Sequence, residues 1–525
     1  MRSRIALALL GSFPALVSAA APDAVRREVL PNGLTVLVLP EPGTPFVSVG
    51  TMYRVGARNE AAGTTGLAHY CEHMNFRATR RFPGHETTES ITRRGGRWSG
   101  YTWIDQTWYR STMEKDALDH LLALEADRMT EALYEPADFD QERTSVLAEL
   151  RSYDDPHSVL YDAVLAASFE IHPYRNNTIG YPSDVEGVTR DEAYRFYRRF
   201  YHPNNAVLAV ASGLAAEEVL ARVRERFGGL AGQGESTAVR TLEPGQTGQR
   251  RVTVRKPGPH ARLLVAFRAP ALLDRDFPAM VLLDALLAGG KGFRLLEKYP
   301  APGGTPLDEA LKGLITEGST AWQASPYPYV YSFSASVPKA EGLEASEAAF
   351  FRLLGQATKR EWTDAEKSAA IRQVKRGWAR DLDEQGERIH QLAFFEVAGS
   401  WRELFDLPER LQRVETPDLQ RFVRERLRPD QATVGWFVPE ASTPEAPAAR
   451  ETSGLSPSGS LGSSPSATAP PTPRDPSVSV SGPPRSFALP GGSSLKVVPV
   501  AGTFLVALRG RWPAGPAPEG VLAVA

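Results

Sequence analysis

Between Ala441 and Pro484 the chain is almost entirely Ser, Pro, Thr, Gly and Ala, with scattered charges and no apolar period. A stretch of that kind cannot bury enough surface to repay the ordering of its backbone, so it reads as a flexible, partly extended tether. Whatever folds must therefore fold on one side of it or the other. Upstream lie some 440 residues, where a length of about 150 residues per domain allows two or three units. Downstream, 485–525 is too short for one. The tether also accounts for much of the chain's 42 prolines.

The short downstream segment repeats the beginning of the long one. Leu30-Pro31-Asn32-Gly33 returns as Leu489-Pro490-Gly491-Gly492, an offset of 459. At the same offset Val38, Pro40, Gly43, Thr44, Val47 and Gly56 recur as Val497, Pro499, Gly502, Thr503, Val506 and Gly515. Co-occurring Pro and Gly at fixed spacing set this apart from a chance likeness of two strand-turn-strand segments, and we read an internal repeat.

The N-terminus has the form of a secretory signal peptide, 1–21: Arg2 and Arg4, the apolar run Ile5 to Val17, then Ser18-Ala19-Ala20-Ala21. The expected location is exported, periplasmic or secreted. No later run approaches the length of a membrane span. With 60 basic and 62 acidic residues the net charge is −2, which excludes a basic nucleic-acid binder on composition. The single cysteine, Cys71, excludes an internal disulfide and any Cys-rich zinc module.

Strand alternation at Leu34, Val36 and Val38 is followed by helical patterns at 66–76, 116–132 and 136–153, a strand at 207–210 and a helix at 215–227. Strands and helices mix without a strict βαβ beat, so the expected class is α+β. The segment 231–250, rich in Gly, Gln, Thr and Ser, reads as a linker between units at 25–230 and 251–440. The second unit opens with a strand at 263–267 and carries long amphipathic helices at 277–287 and 364–384.

The chemistry concentrates in His69-Tyr70-Cys71-Glu72-His73. On a helix the two histidines lie about 40° apart and one turn apart, so both imidazoles can reach one Zn²⁺ at about 2.0–2.1 Å. Glu72 borders the same face, where it can meet a metal-bound water, while Cys71 points away. A catalytic zinc needs a third protein ligand and an open position. Glu142 and Glu149, seven residues apart, share a face of the helix at 136–153. On spacing alone they are more simply read as two carboxylates on a solvated helix face, the usual fate of such residues.

The chain resembles the insulinase/pitrilysin-type metallopeptidases, family M16. The resemblance rests on Leu30-Pro31-Asn32-Gly33-Leu34, on His69-x-x-Glu72-His73-Met74, and on the Glu142/Glu149 spacing. His172-Pro173-Tyr174 with Gly180, and Tyr201-His202-Pro203-Asn204-Asn205, extend it. It covers about 25–440 and the restarted repeat. It implies two homologous domains, each a largely antiparallel sheet packed with helices, with 485–525 the start of a third. It further implies one zinc per chain held by His69, His73 and Glu149, with Glu72 as general base on the water that attacks the scissile carbonyl and Glu142 assisting. Ser99, Gly100, Tyr101 and Thr102 fall on the family's substrate-binding edge strand, although the family usually has Asn-Ala where this chain has Ser99-Gly100. The implied function is a zinc endopeptidase acting on peptides or unfolded chains in a clamshell chamber. The second half of that chamber, which commonly supplies an Arg and a Tyr, would come from a missing C-terminal part or a partner chain. Family members that lost the motif act as non-catalytic scaffolds or partner subunits, and an intact motif argues against that reading here.

Overall fold

The computed structural model describes residues 22–232, 238–289 and 305–440, together with the backbone of four short strands within 485–523. The expected signal peptide and tether lie outside the described residues, as does part of the expected linker.

The first sheet holds six strands: β1 (Arg26–Val29), β2 (Thr35–Pro40), β3 (Phe46–Tyr53), β4 (Arg97–Thr102), β5 (Thr107–Glu114) and β6 (Ala206–Ser212). Their order is β1-β2-β6-β3-β5-β4, with only β2 and β6 parallel. The second sheet holds β7 (Arg250–Pro257), β8 (Ala261–Arg268), β9 (Glu317–Ala321), β10 (Val330–Val337) and β11 (Thr433–Glu440) in the order β7-β11-β8-β10-β9. Only β7 and β11 are parallel. Strand for strand, the second order repeats β2-β6-β3-β5-β4. The fold is therefore α+β with two sheets of mostly antiparallel strands, as the sequence reading expected.

Helices α1 (Leu67–Met74), α2 (Glu86–Thr92), α3 (Leu118–Thr130), α4 (Pro136–Ser152), α5 (Pro156–Ser168), α6 (Pro182–Gly187), α7 (Arg190–Phe200) and α8 (Ala216–Phe227) belong to the first lobe. Their ends follow local chemistry. Pro136 and Pro156 occupy first turns, where a missing N–H costs nothing. Asp155 accepts the amides of His157 and Ser158, and Thr189 forms a capping box with Glu192. The second lobe has α9 (Phe277–Ala288), α10 (Pro306–Ala310), α11 (Leu343–Ala357), α12 (Asp364–Asp381), α13 (Gln385–Ala398), α14 (Glu403–Gln412) and α15 (Thr416–Arg426).

Both faces of each sheet are covered, and the sequence shows how. In β2, Val36 and Val38 point into the core shared with α1, α3, α7 and α8, while Leu37 and Leu39 point the other way. Val207, Ala209 and Ala211 of β6 join Leu37 and Leu39 on that second face. What covers it is α13, a helix of the second lobe, packed against β3 and β6. The reverse holds for the second sheet, where α5 of the first lobe lies on β7, β8 and β11. Leu160, Val164 and Leu165 of α5 meet Leu264, Ala266 and Phe437 there. The approach is so close that a Cβ on Gly435 would lie 2.2 Å from Val164 Cγ2. Each lobe thus lends one helix to the sheet of the other.

In the last segment β12 (Arg485–Ala488), β13 (Ser494–Val497), β14 (Ala507–Arg511) and β15 (Val521–Ala523) form a four-stranded sheet in chain order. Arg485 pairs with Val497 and Ala488 with Ser494. Arg26↔Val38 and Val29↔Thr35 stand 459 residues earlier, in the same register.

Candidate metal centre

The short helix α1 is fixed at its start by Glu60, whose buried carboxylate accepts the amides of Gly66 (2.9 Å) and Ala68 (2.7 Å). Those are N–H groups that a helix leaves unpaired. Gly66 takes φ 83° and sits against Gly180, so that a Cβ at 66 would lie 2.5 Å from the Ile179 carbonyl. Only glycine allows both the left-handed turn and that approach. Tyr70 ties α1 to α4 by stacking on Phe139 (ring centroids 4.5 Å apart) and by hydrogen bonding to its carbonyl. Cys71 turns the opposite way, towards the Ala193 carbonyl of α7. Burial pushes its thiol up to about 12, which leaves it an inert packing group.

The remaining face of α1 carries His69, Glu72 and His73, and α4 brings Glu149 against it. One Oε2 atom of Glu149 lies 3.5 Å from His69 Nε2 and 3.5 Å from His73 Nε2. Among the described residues these three form the one group of His, Cys, Asp or Glu side chains whose ligand atoms all lie within 4.8 Å of one another. A separation of 3.5 Å is long for a charge-assisted hydrogen bond of about 2.7–2.9 Å. It matches the edge, about 3.4 Å, of a tetrahedron with bonds of about 2.0–2.1 Å. Two imidazoles and a carboxylate are also a donor set that suits zinc.

Glu142 does not join the three. Its Oε2 accepts from His73 Nδ1 at 2.7 Å, and its other oxygen accepts from Arg77. His73 thereby turns Nε2 towards Glu149, the carboxylate–histidine arrangement that orients a metal ligand. Replacing Glu142 with Gln is expected to weaken zinc affinity by about tenfold. Competition with a chromophoric chelator measures it, and an unchanged affinity would show that this hydrogen bond tunes nothing.

The electrostatics follow from the packing. Burial, then His73, push His69 down to about 4, so its ring stays neutral and able to donate a lone pair. Burial works against a charge on His73, but the carboxylates of Glu142 and Glu149 outweigh it and lift the ring to about 10. The site is thus built to hold positive charge. Burial pushes Glu72 up to about 7, against the pull of His73 and of the Thr102 hydroxyl, which donates to Glu72 Oε2 at 2.8 Å.

Thr102 belongs to β4, the edge of the first sheet, which among the described residues is hydrogen-bonded only to β5. Its free edge runs beside α1. Of the four expected substrate-strand residues, Gly100 and Thr102 face α1, and a Cβ on Gly100 would lie 2.6 Å from the Phe76 ring. Ser99 and Tyr101 alternate to the other face. There the Tyr101 hydroxyl meets His390 Nε2 at 2.8 Å, so only its main chain stays at the edge. Trp98 packs on Phe76, and Trp108 is buried in the core. Sequence reasoning missed Glu60, Arg77 and the hydroxyl of Thr102. None of the three had a periodic signal: Glu60 and Arg77 lie outside α1, and strand alternation does not tell what the Thr102 hydroxyl meets.

The equivalent helix of the second lobe, α9, is wholly buried, apolar but for Asp284, and carries no histidine. Among the described residues no helix is long and apolar enough to cross a membrane.

Residues 35–182 match the family model described as insulinase (peptidase family M16), and 187–374 match that of the peptidase M16 inactive domain. The chain is 27% identical to the zinc protease PqqE of Helicobacter pylori, over 78% of this chain and 92% of that one. It is 31% identical to the uncharacterized zinc protease ML0855 of Mycobacterium leprae, over 52% of this chain and 62% of that relative. The crystal structure of a protease from Helicobacter pylori superposes with a TM-score of 0.71 at 27% identity, covering 79% of this chain and 99% of that one.

Proposed function

The chain belongs to the insulinase family of peptidases, M16, and from that premise we propose that it is a zinc-dependent endopeptidase. One observation carries the reading: His69 and His73 on one face of α1 and Glu149 on α4 bring their ligand atoms within 4.8 Å of one another, with the Glu149 oxygen at tetrahedral-edge spacing from both imidazoles. These three residues would hold the metal. When bound, zinc supplies a Lewis acid that activates water and polarises a carbonyl.

The rest is done by side chains of this protein. Glu72, held by Thr102, takes a proton from the attacking water at its carboxylate and returns it to the departing amine. Burial disfavours a standing charge on Glu72, which favours its taking up that proton. Glu142 holds the tautomer of His73. The free edge of β4, over Ser99, Gly100, Tyr101 and Thr102, receives the substrate as an added extended strand, through main-chain hydrogen bonds. The substrates are then extended or unfolded peptides. We further propose that a second half, from further chain or a partner, closes a clamshell over this edge, and that the protein is exported.

The deciding experiment is zinc stoichiometry together with cleavage of a peptide library, with and without chelator. One zinc per chain and chelator-sensitive cleavage support the reading. A chain that binds no zinc is a scaffold. A zinc-loaded chain that cleaves nothing, even with a second half supplied, is a peptide holder.

A further inference from the structure

The edge strand β4 is gripped from both faces, and one grip comes from the other lobe. On the α1 face Thr102 holds Glu72. On the opposite face Tyr101 reaches α13, where its hydroxyl lies 2.8 Å from His390 Nε2. His390 is itself fixed: its Nδ1 lies 2.9 Å from Glu387 Oε1, which also accepts from Gln391 at 3.0 Å. His390 and Glu387 are both largely buried. Because the Glu387 carboxylate can only accept, Nδ1 of the ring carries the proton, and in the neutral ring Nε2 accepts from the tyrosine hydroxyl. The His390 ring also packs edge-on to Tyr101 and against Trp108 of β5, each with centroids 5.5 Å apart. An edge strand has hydrogen-bonded neighbours on one side only. The order of its backbone therefore depends more on its side chains than that of an inner strand does.

We infer that His390, contributed by the second lobe, is a positioning residue for peptide binding: through Tyr101 it holds β4 flat and in place for the incoming strand. This rests on the reading of β4 as the peptide-accepting edge. A strand already held in its bound form loses less freedom when a peptide adds to it, so the gain lies in binding. Neither His390 nor Tyr101 is hydrogen-bonded to Glu72 or to the three metal-binding side chains, and the Thr102 grip on Glu72 is a separate contact, so the main effect should fall on binding rather than on the bond-breaking step.

The test uses the full chain with His390→Ala, His390→Gln and Tyr101→Phe. Each of His390→Ala and Tyr101→Phe is expected to raise KM for a peptide about tenfold, with kcat within about twofold. The double variant should be no worse than either single, since both break one link. His390→Gln, which can still accept from Tyr101, should recover part of the loss. Zinc content should stay at one per chain, and amide exchange over 97–102 should quicken in His390→Ala and in Tyr101→Phe. Unchanged KM and unchanged exchange in Tyr101→Phe, which removes only a hydroxyl, would overturn the inference, as would additive effects. If the wild-type chain holds zinc but cleaves nothing, the endopeptidase reading fails on its own. Exchange over 97–102 and peptide Kd then decide the role of His390.

Discussion

Glu72→Gln is expected to retain one zinc per chain while losing about 10²- to 10⁴-fold in kcat/KM for peptide cleavage. The substitution is nearly isosteric. The amide oxygen of Gln can still accept from the Thr102 hydroxyl, so the helix and its neighbour strand keep their contact. What disappears is the ability to take and return a proton. The same change should stabilise the metal-free protein at pH 8. Burial raises Glu72 from 4.5 to about 7, so the folded state prefers the protonated carboxyl. That preference is fully expressed below the unfolded value near 4.5 and is lost as pH rises through 7, where folding must tolerate a buried charge. Thermal unfolding of chelated samples should therefore show Glu72→Gln above wild type at pH 8 and level with it near pH 4. Cleavage within tenfold of wild type would remove Glu72 from the role of base.

Glu149→Ala should have the largest effect on the metal. Losing one of three protein ligands is expected to lower zinc affinity by about 10²- to 10³-fold, a share of the total binding free energy of such sites. Linkage gives a second readout. A metal present at about 1,000 times its Kd stabilises the folded state by about 4 kcal/mol, and the same zinc would stabilise Glu149→Ala by only about 0.4–1.4 kcal/mol, so the variant's rise in melting temperature should be about a third of the wild type's or less. Retention of stoichiometric zinc by Glu149→Ala would mean that the third ligand lies elsewhere.

How much of this could be read beforehand depends on the range of each interaction. The facing of His69, Glu72 and His73 is a local property, set by the helical period once Glu60 and Gly66 start the helix. The shared face of Glu142 and Glu149 is local too. That their helix lies across α1 depends on Tyr70 stacking upon Phe139, a contact between segments with no periodic trace, and here only the resemblance placed Glu149 with the histidines. Strand alternation sets Tyr101 opposite Thr102, yet it does not tell what Tyr101 meets. An amphipathic pattern says that a helix such as α13 has a face to bury. It does not say whose sheet will bury it.

The helices α5 and α13 occupy equivalent places in their lobes, each following the pair of helices after the fourth strand of the shared order, and each covers the other lobe's sheet. A lone copy of the unit would present a bare apolar sheet face on one side and a helix without a seat on the other. It could satisfy both only by embracing a second copy, in the manner of a domain-swapped dimer. Fusing two such copies makes that embrace intramolecular and permanent, with no loss of partner on dilution. It also frees the copies to diverge: one keeps the metal ligands, while the other, relieved of chemistry, is kept for the helix it lends.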